Sequence, residues 1–148
     1  MVKPEVEEDW LPLRAGSPHR YRFEEPDLFF LGDVGDVSGA DMACMFDLVE
    51  ELAARTGRRL FWISDISRLG RVNEEASKLA IQRDVKQLLR ATILYGGSFR
   101  QRLLANMVAK ALLILRPNRS KRPLFFCATE AEARTLVEEM RREEGGSS

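Results

Sequence analysis

Short apolar segments alternate along this chain with longer segments whose apolar residues recur at helical spacing. Strand-like runs are found at 19–24, 27–34, 60–66, 91–95 and 123–128, and the last four are rich in Phe, Leu and Ile. Near-continuous apolar strands that alternate with helices are typical of a sheet covered by helices, with mostly parallel pairing. The pattern therefore predicts an α/β fold.

Capping residues mark where the intervening helices begin and end. Ser38 precedes an apolar stripe, and Asp41 follows three residues later, which is the spacing of a capping box. Gly57 can take the left-handed conformation that ends such a helix. Four helices are predicted, over about 38–56, 73–90, 98–115 and 129–142.

The resulting order of elements is β-β-α-β-α-β-α-β-α. We expect a mixed, mostly parallel five-stranded sheet with four helices, in which the opening hairpin supplies the antiparallel pair. A chain of 148 residues fits one domain with one core. That domain is predicted over 18–144, after a loosely ordered arm at 1–17 and before a flexible end at 145–148.

The charge balance disfavours a nucleic-acid partner. The 23 basic and 23 acidic residues cancel, so the chain has no overall field to attract nucleic acid or an anionic membrane. No apolar stretch reaches the roughly 20 residues that a membrane span needs. Cys44 and Cys127 lie in apolar segments, which favours buried reduced thiols and a cytoplasmic protein; a disulfide between them is the alternative.

Residues suited to catalysis are scarce. His19 is the single histidine, so any Ser-His-Asp or Cys-His arrangement would have to use it. The two cysteines and one histidine are too few for a zinc site. A carboxylate enzyme built on Asp33, Asp65 and Glu74 lacks a reacting partner residue. We therefore expect no catalytic residue, no metal and no cofactor.

Three short strings carry a family resemblance. They are Asp65-Ile66-Ser67 after the third strand, Gly96-Gly97 after the fourth, and a Phe-Phe strand followed by an acidic, Ala-rich helix at 124–132. In this element order they resemble the STAS family, and within it the SpoIIAA-like branch of small bacterial proteins. The resemblance covers about 19–142. It implies a SpoIIAA-like fold and a non-enzymatic role in protein interaction or regulation.

The resemblance also indicates a departure. In signalling members of the family, a serine at the start of the helix after the third strand is phosphorylated by a partner kinase. Here the aligned residues are Asn73-Glu74-Glu75-Ala76, so glutamates replace the acceptor serine. They could mimic a permanently phosphorylated state. Alternatively, the string is a good helix start and nothing more.

The carboxyl ends of the strands are the candidate binding site, because open α/β sheets bind ligands there. The alternative for Gly96-Gly97 is that these glycines merely permit a tight turn from strand to helix. The candidate residues for a ligand or partner are Ser67, Arg68, Asn73, Glu74, Glu75, Gly97, Ser98 and Arg100.

The predicted helix over 98–115 has more apolar residues than one buried face requires. Surplus apolar surface is costly to leave in water, so something should cover it. A second copy of the chain, a target protein and a lipid-like ligand beneath the helix are the candidates. Burial within the monomer is the alternative. The residues proposed to form this interaction helix are Leu104, Met107, Val108, Ala111, Leu112 and Leu115.

Overall fold

The computed structural model describes residues 10–83, 85–98 and 124–146. A sheet of six strands in sequential order forms the centre of the molecule. The strands are β1 (Leu11–Pro12), β2 (Arg20–Glu24), β3 (Leu28–Val37), β4 (Leu60–Val72), β5 (Leu89–Tyr95) and β6 (Leu124–Cys127). The described helices are α1 (Gly39–Thr56), α2 (Glu74–Gln82) and α3 (Glu130–Gly146), with a short 3-10 turn at Lys86–Leu88.

The pairing confirms the predicted α/β class. Strands β1, β2 and β3 pair antiparallel, and β3 to β6 pair parallel. The sheet has six strands where five were predicted, because β1 forms inside the stretch assigned to an arm. Leu11 lies opposite Tyr21, and the Leu13 amide donates to the His19 carbonyl at 2.9 Å. Of the four predicted helices, the one over 98–115 falls almost entirely outside the described residues.

Alternating side chains divide the core between the two faces of the sheet. On the face covered by α1 and α2, the ring of Trp62 packs edge-on against the rings of Phe29 and Phe46. The distances between ring centroids are 5.3 Å and 6.0 Å. On the α3 face, Phe61 and Val137 belong to a second buried cluster. None of the described helices is long and apolar enough to cross a membrane.

Two helix starts follow the sequence signals closely. The Ser38–Asp41 capping box is present, and the Asn73 side chain accepts from the Ala76 amide at 2.8 Å. Gly57 ends α1 in the left-handed conformation, with φ of 69°.

Helix α2 ends eight residues earlier than predicted, at Gln82 rather than about Arg90. The next side chain, Arg83, lies against α1 and donates to Asp47 at 2.7 Å. Val85 is then buried and Leu89 already belongs to β5. The helical pattern is overridden because the apolar residues after 82 are needed in the core and the sheet.

Strand β4 continues past the end of β5, and its last residues pair with the end of β3. We call this two-stranded part, residues 33–37 with 66–72, the β3–β4 extension. The strand predicted over 60–66 is longer in the structure, because Ser67 and Arg68 continue it as far as Val72. The Arg71 amide donates to Oδ1 of Asp36 at 2.8 Å. Gly70 of β4 lies so close to the β3 backbone that a Cβ at this position would be 2.8 Å from the Gly35 carbonyl carbon.

At the opposite end of the strands, Asp27 joins α3 to the sheet. Its side chain is 1% exposed and bonds Arg90 at 3.0 Å and also Arg141 of α3. Both guanidinium groups lie over the ring of Phe61. The buried carboxylate therefore has two cationic partners, which is what a charge in this environment requires.

Replacing Gly70 tests the close approach in the extension. Gly70→Ala should destabilise the fold by about 1–3 kcal/mol, because the added methyl group would meet the β3 backbone as well as the Asp36 carboxylate that accepts from the Arg71 amide. Gly32→Ala is the matched control, since its Cβ would meet its nearest neighbour at an ordinary 3.7 Å. Urea unfolding measures both, and equal midpoints for the two variants would contradict the tight packing at Gly70.

Removing the Asp27 carboxylate should take a buried anionic partner away from Arg90 and Arg141. Asp27→Ala is expected to lower the free energy of unfolding by about 3–5 kcal/mol, the usual cost of breaking a buried ion pair from one side. Glu138 is a surface partner of the same Arg141, and its side chain is 58% exposed. Glu138→Ala should change the free energy of unfolding by less than about 1 kcal/mol. Thermal or urea unfolding separates the two; a small effect of Asp27→Ala would contradict the role of Asp27.

Candidate functional site

An exposed run of side chains follows the β3–β4 extension into α2. We call it the 67–75 surface. Its exposed residues are Ser67, Arg68, Arg71, Asn73, Glu74 and Glu75. Five of the predicted site residues are therefore exposed to solvent on the extension or directly after it. They are Ser67, Arg68, Asn73, Glu74 and Glu75.

The first part of this surface lies beside the Gly96 turn. Oδ1 of Asp65 accepts from the Ser67 amide at 3.0 Å and from its hydroxyl at 2.7 Å. Gly96 has φ of 81°, and a Cβ there would lie 3.1 Å from the same Asp65 oxygen. The structure therefore brings Ser67 next to the turn, as proposed. Gly97 is half-buried and Ser98 is exposed just after it.

The second part is the first turn of α2. Asn73 holds it in place, because its amide donates to the Val37 carbonyl at 3.0 Å and its side chain caps the helix. The Glu74 side chain is 86% exposed, with Lys78 at 4.0 Å. Glu75 folds back against the first residue of α1, where a Cβ on Gly39 would lie 2.4 Å from its Oε1. The two helix starts are thus neighbours.

These two parts do not form one pocket. Ser67 and Asn73 are separated by about 20 Å of extended strand, at roughly 3.3 Å per residue. The single site predicted from the sequence is therefore spread along an edge. Arg100 and the interaction-helix residues lie outside the described residues, so self-association and a lipid-like ligand beneath that helix stay predictions. Those residues are Leu104, Met107, Val108, Ala111, Leu112 and Leu115.

His19, which the sequence marked only as an isolated histidine, lies against the β3 strand of the β3–β4 extension. The residue is 0% exposed. Its Nδ1 accepts from the Val34 amide at 3.0 Å, and Nε2 lies 2.9 Å from the Asp36 carbonyl. A ring that accepts at Nδ1 and donates at Nε2 is neutral. Both nitrogens thus form hydrogen bonds with the backbone of β3, in the part of the strand where its register with β4 shifts. No sequence spacing relates His19 to these groups.

Two buried carboxylates flank the ring in opposite electrostatic states. Burial raises the pKa of Asp33 to about 7; His19 opposes this shift, and the carboxylates of Asp65 and Asp41 add to it. Within the described chain, Oδ1 of Asp33 has no hydrogen-bond partner and lies 4.0 Å from Nδ1 of His19. Burial also raises the pKa of Asp41, but hydrogen bonds from Ser38 and Arg14 outweigh it and leave that pKa lowered.

The remaining chemistry-bearing residues are dispersed. Among the described residues, no group of three His, Cys, Asp or Glu side chains could hold a metal ion. Cys44 and Cys127 are free and half-buried, on α1 and β6. The unlinked thiols agree with the expectation of reduced cysteines, although neither is fully buried.

Comparison with known proteins bears on the fold. No protein-family model matches the sequence, and the search of curated proteins found no match. The structure of the anti-sigma factor antagonist SpoIIAA in its unphosphorylated form matches with a TM-score of 0.55 and 15% identity, over 81% of this chain and 97% of that chain.

A second solved structure gives the same result. It is an uncharacterised protein of the DUF3478 family with a SpoIIAA-like fold from Shewanella loihica PV-4. It matches with a TM-score of 0.52 and 16% identity, over 78% of this chain and 88% of that chain. The chain therefore has the SpoIIAA-like STAS fold that its element order predicted.

The state of Asp33 predicts how stability depends on pH. The unfolded carboxyl loses its proton near 3.8, whereas the folded one keeps it to about 7. The folded state binds more protons between these values, so stability falls as pH rises from about 4 to 7 and stays low above that. The loss is at most about 4 kcal/mol, at about 1.4 kcal/mol per pKa unit.

Asp33→Asn should remove this fall. The amide stays neutral, so the variant is expected to be more stable than the unmodified chain at about pH 8 and similar to it at about pH 4. Glu51→Gln, at a side chain 65% exposed, is the control that should leave the pH profile unchanged. Thermal unfolding across this pH range measures it. A variant that is less stable than the unmodified chain at every pH would contradict the burial of an ionisable Asp33.

Proposed function

We propose that this chain is a non-enzymatic, STAS-like regulatory module of the bacterial cytoplasm that binds another protein through the 67–75 surface. The observation that carries the proposal is the exposed first turn of α2, which presents Glu74 and Glu75 on a preformed backbone. The likeness to an anti-sigma factor antagonist supports the general class of function. Both nitrogens of the buried His19 are occupied by backbone groups, so this ring offers no base for catalysis.

The backbone of this surface is held before any partner arrives. Asp36 bonds the Arg71 amide, Val37 bonds the Asn73 amide, and the Asn73 side chain bonds Ala76. A surface that is already ordered loses less conformational entropy on binding than a flexible loop. The arrangement therefore suits recognition by a protein with a complementary shape.

The charge on the surface indicates the chemistry of the partner. Glu74 and Glu75 lie at a helix N-terminus, where the backbone dipole favours negative charge. They stand where the resemblance places a phosphorylated serine, and they supply charge of the same sign. We propose that they meet a basic patch on the partner. The same carboxylates also stabilise the helix start, so a test must separate binding from folding.

Charge reversal at Glu74 provides that test. Glu74→Lys should weaken partner binding at least about tenfold, since losing a favourable contact and adding a repulsive one is expected to cost about 1.4 kcal/mol or more. Glu51→Lys, on an exposed part of α1, carries the same charge change and should bind normally. The partner is captured from the source organism with the unmodified chain, identified by mass spectrometry, and titrated as a purified protein.

Circular dichroism of both variants checks that α2 remains folded. Equal affinity of the Glu74→Lys and Glu51→Lys variants for the purified partner would refute binding through the 67–75 surface. Loss of binding by both variants to the same degree would show that overall charge, and not this surface, controls the interaction.

A further inference from the structure

We infer that the buried Asp33–His19 pair is a proton-linked switch that changes the backbone geometry of the 67–75 surface. The inference deepens the proposed function, since it concerns regulation of the surface through which the partner is proposed to bind. It rests on the position of the pair at the start of the β3–β4 extension and on the chain of hydrogen bonds that leaves it.

The hydrogen bond from the Val34 amide to Nδ1 of His19 is the element that a proton can change. It exists only while Nδ1 is unprotonated, because a protonated imidazole has a donor at both nitrogens. It also lies at the shift in register between Gly32 and Val34, where β3 departs from regular pairing with β4. Losing this bond would leave a backbone amide without its acceptor at an irregular point of the strand.

Asp33 makes that bond sensitive to pH. Its side chain is 9% exposed, and Oδ1 has no hydrogen-bond partner among the described residues. When the carboxyl ionises, the buried charge needs a donor. One donor within reach is Nδ1 of His19, 4.0 Å from Oδ1, in the tautomer that carries the ring proton there. In that tautomer Nδ1 can no longer accept from the Val34 amide.

Charges on every neighbouring element act on the pair. Asp36 lies on β3 with Asp33, and its carbonyl oxygen takes the Nε2 hydrogen bond of His19. Asp41 of α1 has Oδ2 3.3 Å from Nε2, and Arg14 bonds the other Asp41 oxygen at 2.8 Å. Asp65 of β4 adds negative potential at Asp33. The carboxylates of Asp65 and Asp41 therefore oppose ionisation of Asp33.

Two short routes connect His19 to the surface. Through β3, Nε2 lies at the Asp36 carbonyl, and the Asp36 side chain bonds the Arg71 amide at 2.8 Å. Through α1, Asp41 bonds the Ser38 amide at 3.0 Å. The next residue, Gly39, lies against the Glu75 side chain. A shift of the backbone near Val34 would therefore reach Arg71 in the middle of the surface and Glu75 at its end.

Amide NMR of the full chain without any partner tests the switch. From about pH 5.5 to about pH 8.5, a range that brackets the raised pKa of Asp33 of about 7, the amides of Val34, Arg71 and Ala76 should shift with one common midpoint. The Gly57 amide, which donates to Ala53 at the far end of α1, should stay constant. Titration of Val34 alone, or of none of the three, would overturn the inference.

Asp33→Asn identifies the group responsible. This variant should keep a folded spectrum and lose the common titration at Arg71 and Ala76. A common titration that persists unchanged in the variant would overturn the role of Asp33, and the unmodified chain still decides the question if the variant does not fold. Because no partner is present, failure of the switch and failure of partner binding at Glu74 are observed separately.

Discussion

The parallel pairing of β3 with β4 is the interaction on which the rest of the structure depends. Helix α1 starts directly after β3, and α2 starts directly after β4. The length of this pairing therefore decides where both helix N-termini lie. Because the two strands continue past β5, these termini meet beyond the edge of the sheet. The close approach at Gly70 and the two hydrogen bonds of His19 hold the irregular end of the pairing together.

Buried aspartates in the two halves of β3 and its flank have different roles because their surroundings differ. Asp27 precedes the amino end, where two arginines stacked on Phe61 neutralise it and join α3 to the sheet. Asp33 is in the carboxyl half, near His19 and other carboxylates. The first carboxylate stabilises the fold as an ion. The second is costly as an ion, and a costly buried group near a surface is a natural site for a proton-dependent change.

The parts of the fold that the sequence predicts well are those decided by local physics. Apolar runs predict the strands, Ser38 with Asp41 and Asn73 predict the helix starts, and Gly57 predicts the end of α1. The second half of β4 escapes this reasoning because the polar, exposed residues Ser67, Arg68 and Arg71 interrupt its apolar pattern. These residues belong to the strand through its pairing with β3. The early end of α2 escapes it because Arg83 finds its partners on α1, 36 residues away from Asp47.

The sequence by itself determined the order of the described elements from β2 onward, the α/β class and the exposed glutamates at the start of α2, since propensity, capping and apolar periodicity act between near neighbours. Only the tertiary structure decided that Ser67 and Asn73 lie far apart on one edge, and that His19 and Asp33 share a buried environment. These outcomes depend on strand register and on burial. Both are set by contacts between residues remote in sequence, and no local pattern of side chains encodes them.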